Sequence, residues 1–112
     1  MKEIKAYLHR NRIADVVQAL KDSEPFAGSG GASQHNLTAW QVKGSLSVLD
    51  EHDRCYSLEL GDSVIDMYKL EFVCRDEDVD TLVAVIKEAA HTGGWNSGWV
   101  YVVDVLRVER IE

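Results

Sequence analysis

The chain has 112 residues, 46% of them hydrophobic, a single proline and a formal net charge of −7. That length holds one hydrophobic core, and the composition is that of a globular chain rather than a disordered one. The acidity argues against nucleic acid as a partner, since binding a polyanion requires a basic face. No apolar run approaches the ~20 residues of a membrane span, so direct membrane insertion is not expected. The start is polar from Lys2 and lacks a secretory pattern, so a cytoplasmic location is expected. Cys55 and Cys74 have no metal-ligand spacing; they suit a reducing compartment and read as buried strand residues.

Ile4, Ala6 and Leu8 alternate with polar neighbours, which predicts a half-buried first strand over 2–8. Ile13, Val16, Val17 and Leu20 fall at amphipathic-helix spacing, with Asn11 as the expected N-cap. Between Ser23 and Gln34 lie Pro25, Gly28, Gly30 and Gly31, a composition that reads as a flexible connection. Strand-like stretches follow at 37–43 and 54–60, the latter with Tyr56, Leu58 and Leu60 on one face. Another runs over 67–74 through Tyr68, Leu70, Phe72 and Cys74. Asp76 is placed to cap a second helix whose apolar face is Val79, Leu82, Val83, Ile86 and Ala90, and a last strand covers 99–106. The order β-α-β-β-α-β predicts an α+β, ferredoxin-like sandwich: a four-stranded antiparallel sheet with two helices on one face. Residues 1–112 form one domain. The uncovered sheet face, expected to carry Tyr7, Trp40, Val73 and the Val100/Val102 side of the last strand, should bury itself against copies of the chain. Trp40 and Tyr101 are read as core or interface aromatics.

Charge and glycine mark two segments. Between Ser45 and Asp66, Asp50, Glu51, Asp53, Glu59, Asp62 and Asp66 face only Arg54. The bland reading is a solvated loop. The functional one is a partner-docking loop formed by Asp50, Glu51, His52, Asp53 and Arg54, or a weak cation site on His52, Asp50 and Asp53. His9, His35 and His91 are further metal-ligand candidates, but no two histidines share one helix face at i, i+4. The second segment is Thr92-Gly93-Gly94-Trp95-Asn96-Ser97-Gly98-Trp99, followed by an apolar strand and then Arg107 and Arg110. Glycines let backbone N–H groups approach an anion, and guanidinium groups suit phosphate. The bland alternative makes Gly93 a helix C-cap.

The order of these pieces resembles the P-II signal-transduction proteins. Met1 to Ala6 and Ile13 to Leu20 look like that family's first strand and helix, and Leu37-Thr38-Ala39-Trp40-Gln41-Val42-Lys43-Gly44 looks like the strand that enters its long T-loop. Lys69 to Val73 with Asp76 to Asp80 resembles its third strand and second helix; Thr92-Gly93, Gly98 and the stretch to Ile111 resemble its B-loop and last strand. The T-loop-like region is then 45–66 and the B-loop-like region 92–99, while the chain is longer than usual members between Lys21 and Asn36. The resemblance implies a homotrimer that binds an adenine nucleotide between subunits and signals through the T-loop to a target such as a membrane transporter. It implies no catalytic residues, no resident cofactor and no enzyme activity, and no nucleophile or paired-carboxylate motif stands out. The nucleotide contacts it implies are Thr38, Gly44, Val73 (through its backbone), Gly93, Gly94, Ser97, Gly98, Arg107 and Arg110.

Several family positions differ. Trp99 replaces the B-loop lysine, Asn96-Ser97 replaces Gly-Asp, and Glu112 replaces the next arginine. Val48 and Met67 stand where the family holds magnesium and 2-oxoglutarate, and Leu60 stands where enteric members carry the uridylylated tyrosine. Losing two charge-assisted contacts weakens triphosphate binding by roughly several hundredfold or more. AMP or ADP is therefore expected rather than ATP, the other outcome being no nucleotide at all. Trp95 and Trp99 offer flat apolar surface to a base. The alternative is a metal-responsive trimer of the same fold, linked to cation tolerance or efflux.

Overall fold

A computed structural model describes residues 1–28, 31–32, 34–46 and 54–112. The elements are β1 (Lys2–His9), α1 (Ile13–Asp22), α2 (Glu24–Ala27), β2 (Thr38–Gly44), β3 (Arg54–Ser57), β4 (Asp62–Cys74), α3 (Val79–Ala90) and β5 (Gly98–Asp104). The antiparallel sheet has the order β2-β4-β1-β5, with β3 added to β4. The expected α+β ferredoxin-like order is therefore present, carried by β1, α1, β2, β4, α3 and β5. The sheet differs from the expected four strands in having a fifth. Ile65 pairs with Gly44 on one edge and Arg54 on the other, so β3 takes the edge of β4 that β1 leaves beyond His9. Residues 58–60, expected as strand, form the turn between β3 and β4, with Leu58 90% exposed.

Alternation decides which side of the sheet meets the helices. Ile4, Ala6 and Leu8 pair across to Phe72, Leu70 and Tyr68, and to Val102, Val100 and Gly98. On this face Val16 and Leu20 of α1 and Leu82, Ile86 and Ala90 of α3 close the core, as their spacing predicts. Burying each such large side chain contributes about 1.5–3 kcal/mol. The register corrects one expectation: Val100 packs against the helix-side core, and Val102 shares its face. The open face of β5 instead carries Trp99, Tyr101 and Val103, in line with Tyr7, Lys5 and Glu3.

Three local expectations also change. Asn11 is not the cap of α1, because a 3-10 turn over Arg10–Arg12 precedes the helix and Arg12 takes the cap position. Asp76 likewise opens a 3-10 turn, leaving Asp78 at the cap of α3, and accepts from the Met1 amino group at 2.7 Å. That ammonium holds the Asp76 carboxyl below its ordinary range. The stretch after Ser23 is not simply a flexible connection. Pro25 presets the first turn of α2, Phe26 is fully buried, and the Gly31 amide, at φ 79°, donates to the Phe26 carbonyl at 2.9 Å.

Candidate functional site

Within one chain the expected ligand contacts separate into two groups at opposite ends of the sheet. Thr38 pairs with Glu71 and Gly44 with Ile65, so the two ends of β2 lie six residues (38 to 44) or about 20 Å apart. Val73, opposite Glu3, belongs to the Thr38 end; Gly98 opens β5 level with Gln41, midway along β2, and the next residue, Trp99, shares a pocket with Gly44.

At the first end the chain beyond β5 turns back past the sheet. Val73 and Arg110 line one cleft of about 430 Å³ together with Met1, Gln34, Asn36 and Ile111. Thr38 is exposed on the adjacent strand. Arg110 is exposed, whereas Arg107 donates to Glu109 at 2.9 Å and so spends part of its guanidinium locally. Val73 departs from expectation. Its amide donates to the His35 carbonyl at 2.8 Å, and its own carbonyl lies 2.8 Å from His35 Nδ1. Both backbone groups of Val73 are thus engaged by one residue of the 21–36 segment. His35 itself is buried, stacked on Phe26 with ring centroids 4.2 Å apart at 6°, and its Nε2 lies 3.3 Å from the Pro25 carbonyl. The sequence offered His35 only as a metal-ligand candidate. Its partner is 38 residues away, beyond any local pattern.

At the second end the glycine loop is braced by its own polar side chains. The Thr92 amide donates to Ser97 Oγ at 3.0 Å, and the two hydroxyl oxygens lie 2.9 Å apart. The Gly98 amide donates to Asn96 Oδ1 at 3.1 Å. Asn96 and Ser97 therefore hold the loop's shape and take up two of its amides. Gly93 and Gly98 have φ of 88° and 143°, and a Cβ on Gly98 would collide with the Tyr7 carbonyl oxygen. Beneath the loop an apolar pocket of about 250 Å³ is lined by Leu8, Ile86, Ala90, Trp95, Trp99 and Val100. On the open face a second pocket of about 260 Å³ lies between Trp99, Tyr101, Tyr7, Gly44, Leu46 and Met67. Met67 is buried there, and a Cβ on Gly44 would overlap its Sδ, so the thioether packs directly on the Gly44 backbone.

The open sheet face between the two ends combines aromatics with charge. Lys69 Nζ lies 5.0 Å from the Trp40 ring centroid, 5.6 Å from that of Tyr7 and 3.0 Å from Glu71. The Glu71 carboxylate raises the Lys69 ammonium above its ordinary range. Trp40 and Tyr101 are 39% and 49% exposed, so neither is core within one chain.

Of the docking-loop residues, Arg54 is exposed on β3, while Asp50, Glu51, His52 and Asp53 lie outside the described residues, as does Val48. The weak metal candidates His52, Asp50 and Asp53 fall there too. Among the described residues no group of three or more His, Cys, Asp or Glu side chains could hold a metal ion, and no helix is long and apolar enough to cross a membrane. Cys74 is buried as expected, but Cys55 is exposed, because β3 is an edge strand of a protruding hairpin.

A family model described as nitrogen regulatory protein P-II matches residues 1–112. The chain is 31% identical to nitrogen regulatory protein P-II 2 of Methanothermobacter thermautotrophicus, an alignment covering 99% of this chain and 89% of that protein. It is 31% identical to nitrogen regulatory protein P-II of Pasteurella multocida and 32% identical to nitrogen regulatory protein P-II 1 of Escherichia coli K12. Both alignments cover 99% of this chain and 91% of the relative.

Proposed function

This chain belongs to the nitrogen regulatory protein P-II family, and from that premise we propose that it is a signalling trimer that binds an adenine nucleotide between subunits. The observation that carries the reading is the separation of the expected contacts. Val73 and Arg110 line one cleft at the Thr38 end of the sheet, whereas Gly44 and the loop from Gly93 to Gly98 lie at the other. No ligand of nucleotide size reaches both within one chain. Two copies packed around a common axis bring the Thr38 end of one beside the Gly44 end of the next. The base then sits near Thr38, and the phosphate meets Arg110 and the loop amides.

The ligand of this site is AMP or ADP. Trp99 takes the place of the cation that would meet further phosphates, and Arg107 is already paired with Glu109. The T-loop-like region 45–66 carries the signal outward. Its described part includes the β3–β4 hairpin, which presents Tyr56, Leu58 and Leu60 at 64%, 90% and 58% exposure beside Arg54. This apolar tip, rather than acidity alone, is what a target protein such as a transporter would grip. The nucleotide acts by biasing the conformation of that region, with no chemistry of its own.

Calorimetric titration with AMP, ADP, ATP and Zn²⁺ tests the reading. AMP and ADP should bind more tightly than ATP. Arg110→Ala should weaken them by about 1.5–3 kcal/mol, the worth of one charge-assisted hydrogen bond, without dissociating the trimer. Absence of any adenine nucleotide binding at millimolar concentration, or an Arg110→Ala variant that binds as well as wild type, refutes the site.

A further inference from the structure

We infer that His35 is an internal stand-in for the base, a specificity-determining side chain that occupies the Val73 carbonyl and must be displaced before an aminopurine can be read there. The inference rests on the nucleotide reading above and concerns its base end. Two contacts fix the imidazole in place. Its Nδ1 lies 2.8 Å from the Val73 carbonyl, and its plane lies 6° from that of Phe26, which in turn meets Phe72 edge-on at 5.4 Å. The residue is 6% exposed, so the ring fills the approach to the carbonyl as well as bonding to it.

A neutral imidazole carries a single N–H, and the shorter contact assigns it to Nδ1, donating to Val73. A flat ring presenting one N–H to a backbone carbonyl is what the edge of an aminopurine would offer at the same point. The Val73 amide is engaged differently. It donates to the main-chain carbonyl of His35 at 2.8 Å, and a side-chain substitution at 35 leaves that bond in place. Removing the imidazole therefore frees an acceptor and no donor. Such a site rewards a base with an exocyclic amine and gives nothing to unsubstituted purine, whose ring edge carries no N–H donor.

The test is calorimetric titration of the full chain with AMP and with purine ribonucleoside 5′-monophosphate, which lacks the 6-amino group, using wild type, His35→Ala and His35→Phe, each first confirmed folded by its amide NMR spectrum. His35→Val takes the place of the alanine variant should that one not fold. The vacated carbonyl predicts that His35→Ala binds AMP at least about fivefold more tightly than wild type, the worth of one uncompeted neutral hydrogen bond. Affinity for the unsubstituted purine nucleotide stays unchanged. His35→Phe keeps the ring's bulk and its stacking on Phe26, so it gains for neither nucleotide. If wild type binds AMP but His35→Ala gains nothing, or gains equally for the unsubstituted purine nucleotide, His35 is not the stand-in, and the nucleotide site survives without it. If no form binds AMP at millimolar concentration, this inference and the nucleotide reading fall together.

Discussion

Gly93 and Gly98 occupy one loop, both at positive φ, yet they hold it for different reasons. A Cβ on Gly93 meets nothing within 4 Å, so alanine there carries only the backbone cost of the left-handed region, about 1–2 kcal/mol. On Gly98 the same atom collides with the Tyr7 carbonyl oxygen inside the β1–β5 ladder, where the neighbour is backbone and cannot yield cheaply. Gly98→Ala should therefore destabilise the protein clearly more than Gly93→Ala, by about 2 kcal/mol or more. Denaturant unfolding of the two variants measures the difference, and equal losses would contradict the packing described. The cysteines separate in the same way. Burial, reinforced by Asp78, pushes the Cys74 thiol up to about 11, while Cys55 is exposed. At pH 8 iodoacetamide should modify Cys55 and spare Cys74 in the folded protein. A thiol whose pKa is raised by folding gives stability that is complete below the free thiol's value near ~8.5 and is lost as pH rises toward 11. Cys74→Ala should flatten that part of the stability–pH curve, and an unchanged slope would remove Cys74 as its cause.

Among the elements, α2 and the segment that follows it connect the first helix to the second strand. Phe26 anchors this connection, fully buried between the His35 imidazole and Phe72. Phe26→Ala should cost about 3–5 kcal/mol. It should also raise amide exchange at Val73, whose N–H is bonded to the segment's own His35 carbonyl. A loss under about 1 kcal/mol would mean that the segment is not packed as described. This is also where the sequence was least legible. The strands and helices with a clear period (Ile4-Ala6-Leu8, Val16 and Leu20, Leu82-Ile86-Ala90) stand where the period puts them, because one buried face imposes it. Residues 23–34 have no period, and four residues of helix held by one phenylalanine leave none to find. The run Trp99-Val100-Tyr101-Val102-Val103 is apolar throughout, so alternation could not say which side faces the core. The pairing of Ala6 with Val100 decides it. Of the candidate site, the glycine positions and the arginine pair were legible from spacing. The engagement of Val73 by His35 was not, since it depends on a contact between elements.

For the molecule as a whole, the open sheet face asks for a partner. Trp40, Trp99, Tyr101 and Val103 are 39%, 56%, 49% and 42% exposed on one side of the sheet, around a Lys69–Glu71 pair at 3.0 Å. Such a face, larger than single scattered apolar residues, is the kind that closes by self-association. The two ends of the candidate site, about 20 Å apart along β2, become one site only if copies meet there. Assembly and ligand binding are thus a single claim, and sedimentation velocity with a fluorescent AMP analogue tests both halves together. The bound label should travel with a species of about 38 kDa, three times the 12.6 kDa chain. Label that stays with the solvent, or that travels with a 12.6 kDa species, would contradict a nucleotide site built between subunits.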